Sequence, residues 1–215
     1  MGVVLLHSGI TDARQWDREV AEWPFDVRAP GVGEWVGFTG PAALVGSSFG
    51  GRVAMELAVA HPQAVDRLVL VCPGLPGAPM SAELEAVDAR EEELVAAGEF
   101  EAAAELMVET WVPGAPEPVK TYVRDAQLAA YRADEDGPPR LDPPLAERLH
   151  EVRAPTLLVD GELDRPEFRA IVDRLESELP DVRGRVTIPG AYHLPNLERP
   201  AAFDAAVLPF LSETD

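Results

Sequence analysis

Apolar and polar positions alternate in two different rhythms along this chain. Short apolar runs recur at Val3–His7, Phe25–Ala29, Ala42–Gly46, Arg67–Cys72, Thr156–Asp160 and Arg185–Ile188. Most are apolar at successive positions rather than at every second one, which marks strands covered on both faces inside a parallel sheet. Between them lie segments of helical spacing near Asp12–Glu22, Gly51–Ala60, Arg165–Leu179 and Ala201–Leu211. Asp12 followed by Gln15 has the form of a capping box. The alternation predicts an α/β fold, a mostly parallel sheet of about six strands joined by right-handed crossovers.

Residues 75–151 break that rhythm. Ser81 is placed to cap a helix carrying Leu84, Val87, Leu94 and Val95, with Gly98 ending it. A second helix is expected from Phe100 to Val112 and a third from Pro118 to about Arg132. The prolines at 138, 139, 143 and 144 mark a loop returning to the sheet. The segment reads as a helical cap inserted into a core formed by residues 1–74 and 152–215.

Charge and cysteine usage narrow the classes. The net charge is −20, from 18 Lys and Arg against 38 Asp and Glu. Such a surface repels phosphate backbones and anionic lipid, so no nucleic-acid or membrane partner is expected. Cys72 is the single cysteine. It excludes an internal disulfide and a cysteine-based zinc site, and it follows an apolar run as a buried structural thiol would. The start M-G-V-V-L-L-H lacks the basic and long apolar regions of a signal peptide. No run approaches the ~20 apolar residues of a membrane span. The expected setting is the cytoplasm, as a monomer or homodimer.

The segment Gly46-Ser47-Ser48-Phe49-Gly50 fits G-x-S-x-G, between an expected strand and an expected helix. That is the context of a nucleophile elbow, in which the serine occupies a strained turn and glycines permit close backbone approach. Ser47 cannot be the central serine, because Val45 and Phe49 stand where glycines are needed. A nucleophilic serine needs a base, and the base needs an orienting acid. His61 sits at a helix end, His150 in the return segment and His7 at the end of the first strand. His193 lies in P-G-A-Y-H-L-P just past the last strand, on the same sheet edge as Ser48, and is the base candidate. Asp160, Glu162 and Asp164 compete for the acid. Asp164 is chosen because it lies past the turn at Gly161. The order Ser48, Asp164, His193 is the Ser…Asp…His order of α/β hydrolases.

With these residues in view, the chain resembles the α/β-hydrolase fold superfamily over nearly all of its length outside the cap. V-V-L-L-H-S-G-I-T-D-A-R-Q-W-D is similar to the family's oxyanion strand and following helix. A-P-T-L-L-V-D-G-E-L-D resembles the strand that delivers the acid. I-P-G-A-Y-H-L-P-N-L-E-R-P-A-A-F resembles the histidine loop and final helix, most like those of enol-lactone and related small-ester hydrolases. The resemblance implies that the backbone N–H groups of Gly9 and Phe49 form the oxyanion hole, with Ile10 as the fallback donor because this chain has His7-Ser8-Gly9 where His-Gly is common. It also implies cleavage of a small ester or lactone through an acyl-enzyme, with no metal and no organic cofactor. Carbon–carbon hydrolysis, perhydrolysis, or an idle binding protein on the same scaffold are the alternatives. Ser48 argues against the haloalkane dehalogenases and epoxide hydrolases, which use an aspartate at the elbow.

Two departures from the family pattern stand out. The fold is expected to lack the N-terminal hairpin usual in the family, and only Pro30 to Pro41 joins the second strand to the elbow strand, where a full helix is usual. Trp35 and Phe38 are expected to plug that gap, or else to form a self-association face. Trp111, Met107 and Leu194 are assigned to the substrate pocket. Phe100, Tyr122 and Tyr131 are further aromatic candidates, though their helical spacing also suits packing between cap and sheet.

Overall fold

A computed structural model of the chain describes residues 2–31, 41–133 and 143–213. Six strands form one sheet: β1 (Gly2–Leu6), β2 (Asp26–Arg28), β3 (Ala42–Ser47), β4 (Val65–Val71), β5 (Thr156–Gly161) and β6 (Val182–Ile188). Their order is β2-β1-β3-β4-β5-β6, and every pairing is parallel. The helices are α1 (Asp17–Glu22), α2 (Phe49–Ala60), α3 (Ala82–Ala96), α4 (Phe100–Trp111), α5 (Glu117–Ala133), α6 (Pro166–Glu178), α7 (Pro195–Glu198) and α8 (Pro200–Ser212).

The apolar runs explain the layering. Side chains alternate across a strand, so a run apolar at every position feeds two cores. Leu44, Leu68, Leu70 and Leu158 join Met55, Val172 and Leu175 on the face carrying α2 and α6. Val3, Leu5, Val45, Val69, Val71 and Val159 join Trp16, Phe203 and Val207 on the face carrying α8. Trp16 and Phe203 are fully buried, with ring centroids 6.2 Å apart. Removing the Phe203 ring would cost about 3–5 kcal/mol, as for large aromatic cavities generally.

The strand order reverses direction between β1 and β3, with Leu6 in register with Gly46. At such a reversal the following connections leave to opposite faces, and a crevice opens beyond the carboxyl ends of the two strands. The segment after β1 and the turn after β3 meet there.

Several boundaries differ from the apolar pattern. β6 begins at Val182 rather than Arg185, because it is an edge strand paired only with β5 and half-exposed along most of its length. Its arginines hide it from a count of apolar residues. The segment from Asp12 divides into a single 3₁₀ turn, Ala13–Trp16, and the short α1. Asp12 caps that turn by accepting from the Arg14 N–H at 2.9 Å. Gln15 does not complete a capping box: its Oε1 accepts from the Ser8 N–H and the Thr11 hydroxyl, at 2.8 and 2.6 Å. Ser81 caps α3 by accepting from the Leu84 N–H at 3.2 Å, and Gly98 follows the helix with φ of +75°. Trp35, Phe38 and the prolines at 138 and 139 lie outside the described residues, as does most of the Pro30–Pro41 connection.

Helices α3, α4 and α5 lie between β4 and β5 in the chain. Met107, Val108 and Val112 of the α4 region and Val119 and Val123 of α5 bury a shared cluster with Ile10 and Leu194. That cluster seats the helices on the loops that follow β1 and β6. Among the described residues, no helix is long and apolar enough to cross a membrane.

Candidate active site

Ser48 lies between β3 and α2 with φ of 51° and ψ of −110°, a backbone conformation that side-chain-bearing residues rarely adopt. The flanking glycines explain how the turn closes. A Cβ at Gly46 would collide with the Gly50 carbonyl, and one at Gly50 with the Leu6 carbonyl. The Ser48 N–H donates to Val71 O at 2.8 Å, and Ser48 O accepts from the Gly74 N–H at 3.0 Å. The turn is therefore tied to the end of β4, and the hydroxyl projects beyond the sheet.

His193 Nε2 is 2.9 Å from Ser48 Oγ, and His193 Nδ1 is 2.9 Å from Asp164 Oδ1. The imidazole is 1% exposed and Asp164 6%. Asp164 Oδ1 also accepts from the Arg165 N–H at 2.8 Å. The other two acid candidates are engaged elsewhere. Asp160 bonds Arg185 Nη2 at 2.9 Å and the Thr187 hydroxyl at 2.8 Å, while Glu162 accepts from the Gly190 N–H at 2.8 Å. His7 is buried and its Nδ1 meets Ser8 O at 2.8 Å, so it shapes the turn after β1. Burial holds its pKa below the ordinary histidine value, with the Ser8 hydrogen bond opposing. His61 and His150 are exposed.

The imidazole is held from several sides. Trp111 and Phe168 bracket the ring, with centroids 4.5 and 4.6 Å away. The His193 N–H reaches Trp111 O at 3.3 Å. Glu198, buried, clamps the backbone on both sides: its Oε2 accepts from the Tyr192 N–H and its Oε1 from the Leu194 N–H, each at 2.9 Å. Burial raises the Glu198 pKa, and the two N–H donors and His193 partly oppose that rise.

Gly9 and Phe49 stand on the two sides of the crevice, Gly9 after β1 and Phe49 as the first residue of α2. A helix N-terminus favours developing negative charge. The Ile10 N–H, the fallback donor, is directed at Ser8 Oγ at 3.4 Å. Gln15 and Asn196 bond reciprocally, with Gln15 Nε2 to Asn196 Oδ1 at 3.2 Å and Asn196 Nδ2 to Gln15 O at 3.1 Å. They join the loop after β1 to the loop that carries His193.

A cavity of about 220 Å³ opens beside Ser48, lined in part by Met107, Trp111, Phe168 and Ile10. Leu194, expected in the substrate pocket, does not line this cavity: it is wholly buried in the apolar cluster with Val112 and Val123. Phe100 and Tyr131 stack on each other at 6.0 Å, and Tyr122 bonds Asp12, so these three do not line the cavity. Phe168, Gln127, Asp88 and Glu91 do line it and carry no local motif. Glu198 alone among the unforeseen residues had a sequence signal, an acidic residue five positions after His193 in the same loop segment L-P-N-L-E-R-P.

Cys72, Asp164 and His193 present atoms within 4.8 Å of one another, the spacing of a metal site. Burial pushes the Cys72 thiol well above its ordinary value, and the neighbouring Asp164 carboxylate adds to the shift. A thiol kept protonated is a poor ligand, and Asp164 is already bonded to His193.

Comparisons with known proteins bear on the family and the fold. The family model described as the alpha/beta hydrolase family matches residues 3–206. No curated protein matches the chain. Among solved structures, the carboxylesterase CesB of Bacillus subtilis is similar at a TM-score of 0.77 and 18% identity, covering 100% of this chain and 84% of that one. The naproxen esterase of Bacillus subtilis gives 0.76 at 18% identity, over 98% of this chain and 83% of that one. The enol-lactonase of Burkholderia xenovorans gives 0.72 at 20% identity, over 99% and 91%. At these identities the likeness is one of fold.

Proposed function

Since the chain belongs to the alpha/beta hydrolase family, we propose that it cleaves a small carboxylic ester or lactone through an acyl-enzyme on Ser48. The observation that carries this reading is the continuous contact from Ser48 Oγ through the imidazole to Asp164, 2.9 Å at each step. In this reading residues 75–151 act as a cap, and 1–74 with 152–215 as the catalytic core.

Ser48 Oγ attacks the carbonyl carbon while His193 Nε2 takes its proton. Asp164, bonded at Nδ1, fixes the tautomer and stabilises the imidazolium. The oxygen turns negative and is held by the N–H groups of Gly9 and Phe49, each such donor contributing on the order of 10²-fold or more in rate. His193 then protonates the leaving alcohol, and water repeats the sequence on the acyl group. Trp111 and Phe168 keep bulk water from the imidazole, which strengthens its bond to Asp164. The scheme uses only protein groups and water.

A panel of short p-nitrophenyl esters, lactones and diketones tests it. Ester or lactone turnover that disappears in Ser48→Ala is the expected result. Diketone turnover with inert esters would replace ester hydrolysis by carbon–carbon cleavage on the same residues.

A further inference from the structure

The cavity beside Ser48 has two unlike walls. Met107, Trp111, Phe168 and Ile10 make one of them apolar. Asp88 and Glu91 of α3 and Gln127 of α5 make the other. Spaced three apart on one helix, Asp88 and Glu91 project in nearly the same direction. Glu91 Oε1 accepts from the Tyr131 hydroxyl at 2.6 Å, and among the described residues neither carboxylate forms an ion pair with Lys or Arg. Gln127 is only 4% exposed, and its Nε2 donates to Gly9 O at 3.2 Å. That bond fixes the amide orientation and leaves Oε1 without a hydrogen-bond partner among the described residues.

This wall therefore offers acceptors and negative charge with no cation to match them among the described residues. Asp88 is exposed and Glu91 half-buried, and a cation brought against carboxylates in such a partly desolvated place is held more strongly than in bulk water. Burial holds the carboxyls of both Asp88 and Glu91 above their ordinary pKa values, and other carboxylates add to this: Glu92 and Glu85 for Asp88, Asp88 for Glu91. A cation brought to this place relieves that repulsion, whereas a carboxylate on the substrate adds to it.

We propose that the cavity takes an ester or lactone whose non-reacting end carries a protonated amine, seated against Asp88, Glu91 and Gln127 Oε1. The proposal rests on the hydrolase reading for the reacting end of that substrate. It excludes as preferred substrates the esters and lactones that carry a free carboxylate.

Three methyl esters of matched shape test it: methyl 4-(dimethylamino)butyrate, methyl 5-methylhexanoate and monomethyl glutarate. Their turnover is followed by pH-stat, each normalised to its own rate of hydroxide hydrolysis. The expected result is a kcat/KM for the ammonium ester exceeding that of the carboxylate ester by roughly tenfold or more. The ratio should fall severalfold in an Asp88→Asn, Glu91→Gln double variant. It should hold in an Asp66→Asn, Glu178→Gln variant, which removes the same charge from the far end of the sheet. A native ratio near one, or a ratio that the Asp88 and Glu91 changes leave intact, overturns the proposal.

Calorimetric binding of the corresponding N-methyl amides to Ser48→Ala separates this inference from the reaction itself. Inert esters with amide affinities that still favour the cation would sink the hydrolase reading and keep the charge preference. Esters turned over without regard to charge would do the reverse.

Discussion

Ser48, Asp164 and His193 stand on connections locked from several sides, whereas Met107, Asp88, Glu91 and Gln127 project from helices seated over them by one apolar cluster. The first group is fixed by backbone: a positive φ at Ser48, the Val71 and Gly74 bonds to its turn, and the Glu198 clamp around His193. The second is fixed by side-chain packing of α4 and α5 against Ile10 and Leu194. Reaction chemistry demands placement to a fraction of an ångström, which strand ends and tight turns supply. Substrate selection tolerates more movement, and helices that exchange apolar side chains can supply it.

The sharpest way to break the comparison lies in the locked group. Asp164→Asn leaves the shape of the site but removes the charge that fixes the tautomer, and kcat should fall about 10⁴-fold in steady-state ester assays. A loss under tenfold would mean that another carboxylate orients the imidazole. Glu198→Gln keeps one acceptor where two N–H groups converge. Its kcat should drop roughly tenfold through a displaced imidazole, with KM little changed. A change confined to KM would place Glu198 in substrate binding instead. On the looser side, Met107→Ala enlarges the cavity and should shift preference toward longer acyl chains by a factor of about 10, while the best substrate keeps most of its kcat.

The smallest expected effect concerns the frame's own stability. Glu19 is fully buried beside Arg18, and burial raises its pKa even though that guanidinium opposes the shift. A carboxyl raised by folding adds stability while protonated, at pH below its unfolded value. It loses that contribution as pH climbs through the folded value. Denaturant melts of Glu19→Gln and the native chain should therefore diverge in that direction, the variant gaining relative stability as pH rises from about 4 toward 7. A gap independent of pH would show that Glu19 titrates alike in both states.

The two regions also differ in how much of them the sequence reveals. The elbow was readable because its constraint is local: Gly46 and Gly50 are the residues whose Cβ atoms the turn cannot hold. The strands were readable because both faces of the sheet are covered, so apolar runs are continuous. β6 escaped in part, being an edge strand whose polar residues face outward. Gln15 looked like a helix cap but belongs to the Ser8 loop: its Oε1 accepts from the Ser8 N–H and the Thr11 hydroxyl, while the Asp12 N–H that a capping box would engage donates to the Tyr122 hydroxyl. The cavity wall was illegible for a related reason. Gln127 and Gly9 meet only when α5 is laid over the sheet, and no spacing along the chain encodes that approach. Leu194 packs instead with Val112 and Val123, a cluster that forms only when α4 and α5 are laid over the loop after β6.

The central claim is that the Ser48 hydroxyl is an activated nucleophile. Treatment with a fluorophosphonate followed by peptide mass spectrometry tests it most directly. The account predicts one adduct per chain, on Ser48, with labelling suppressed in His193→Ala. Folded protein that takes up no probe, or takes it up at another residue, would contradict it.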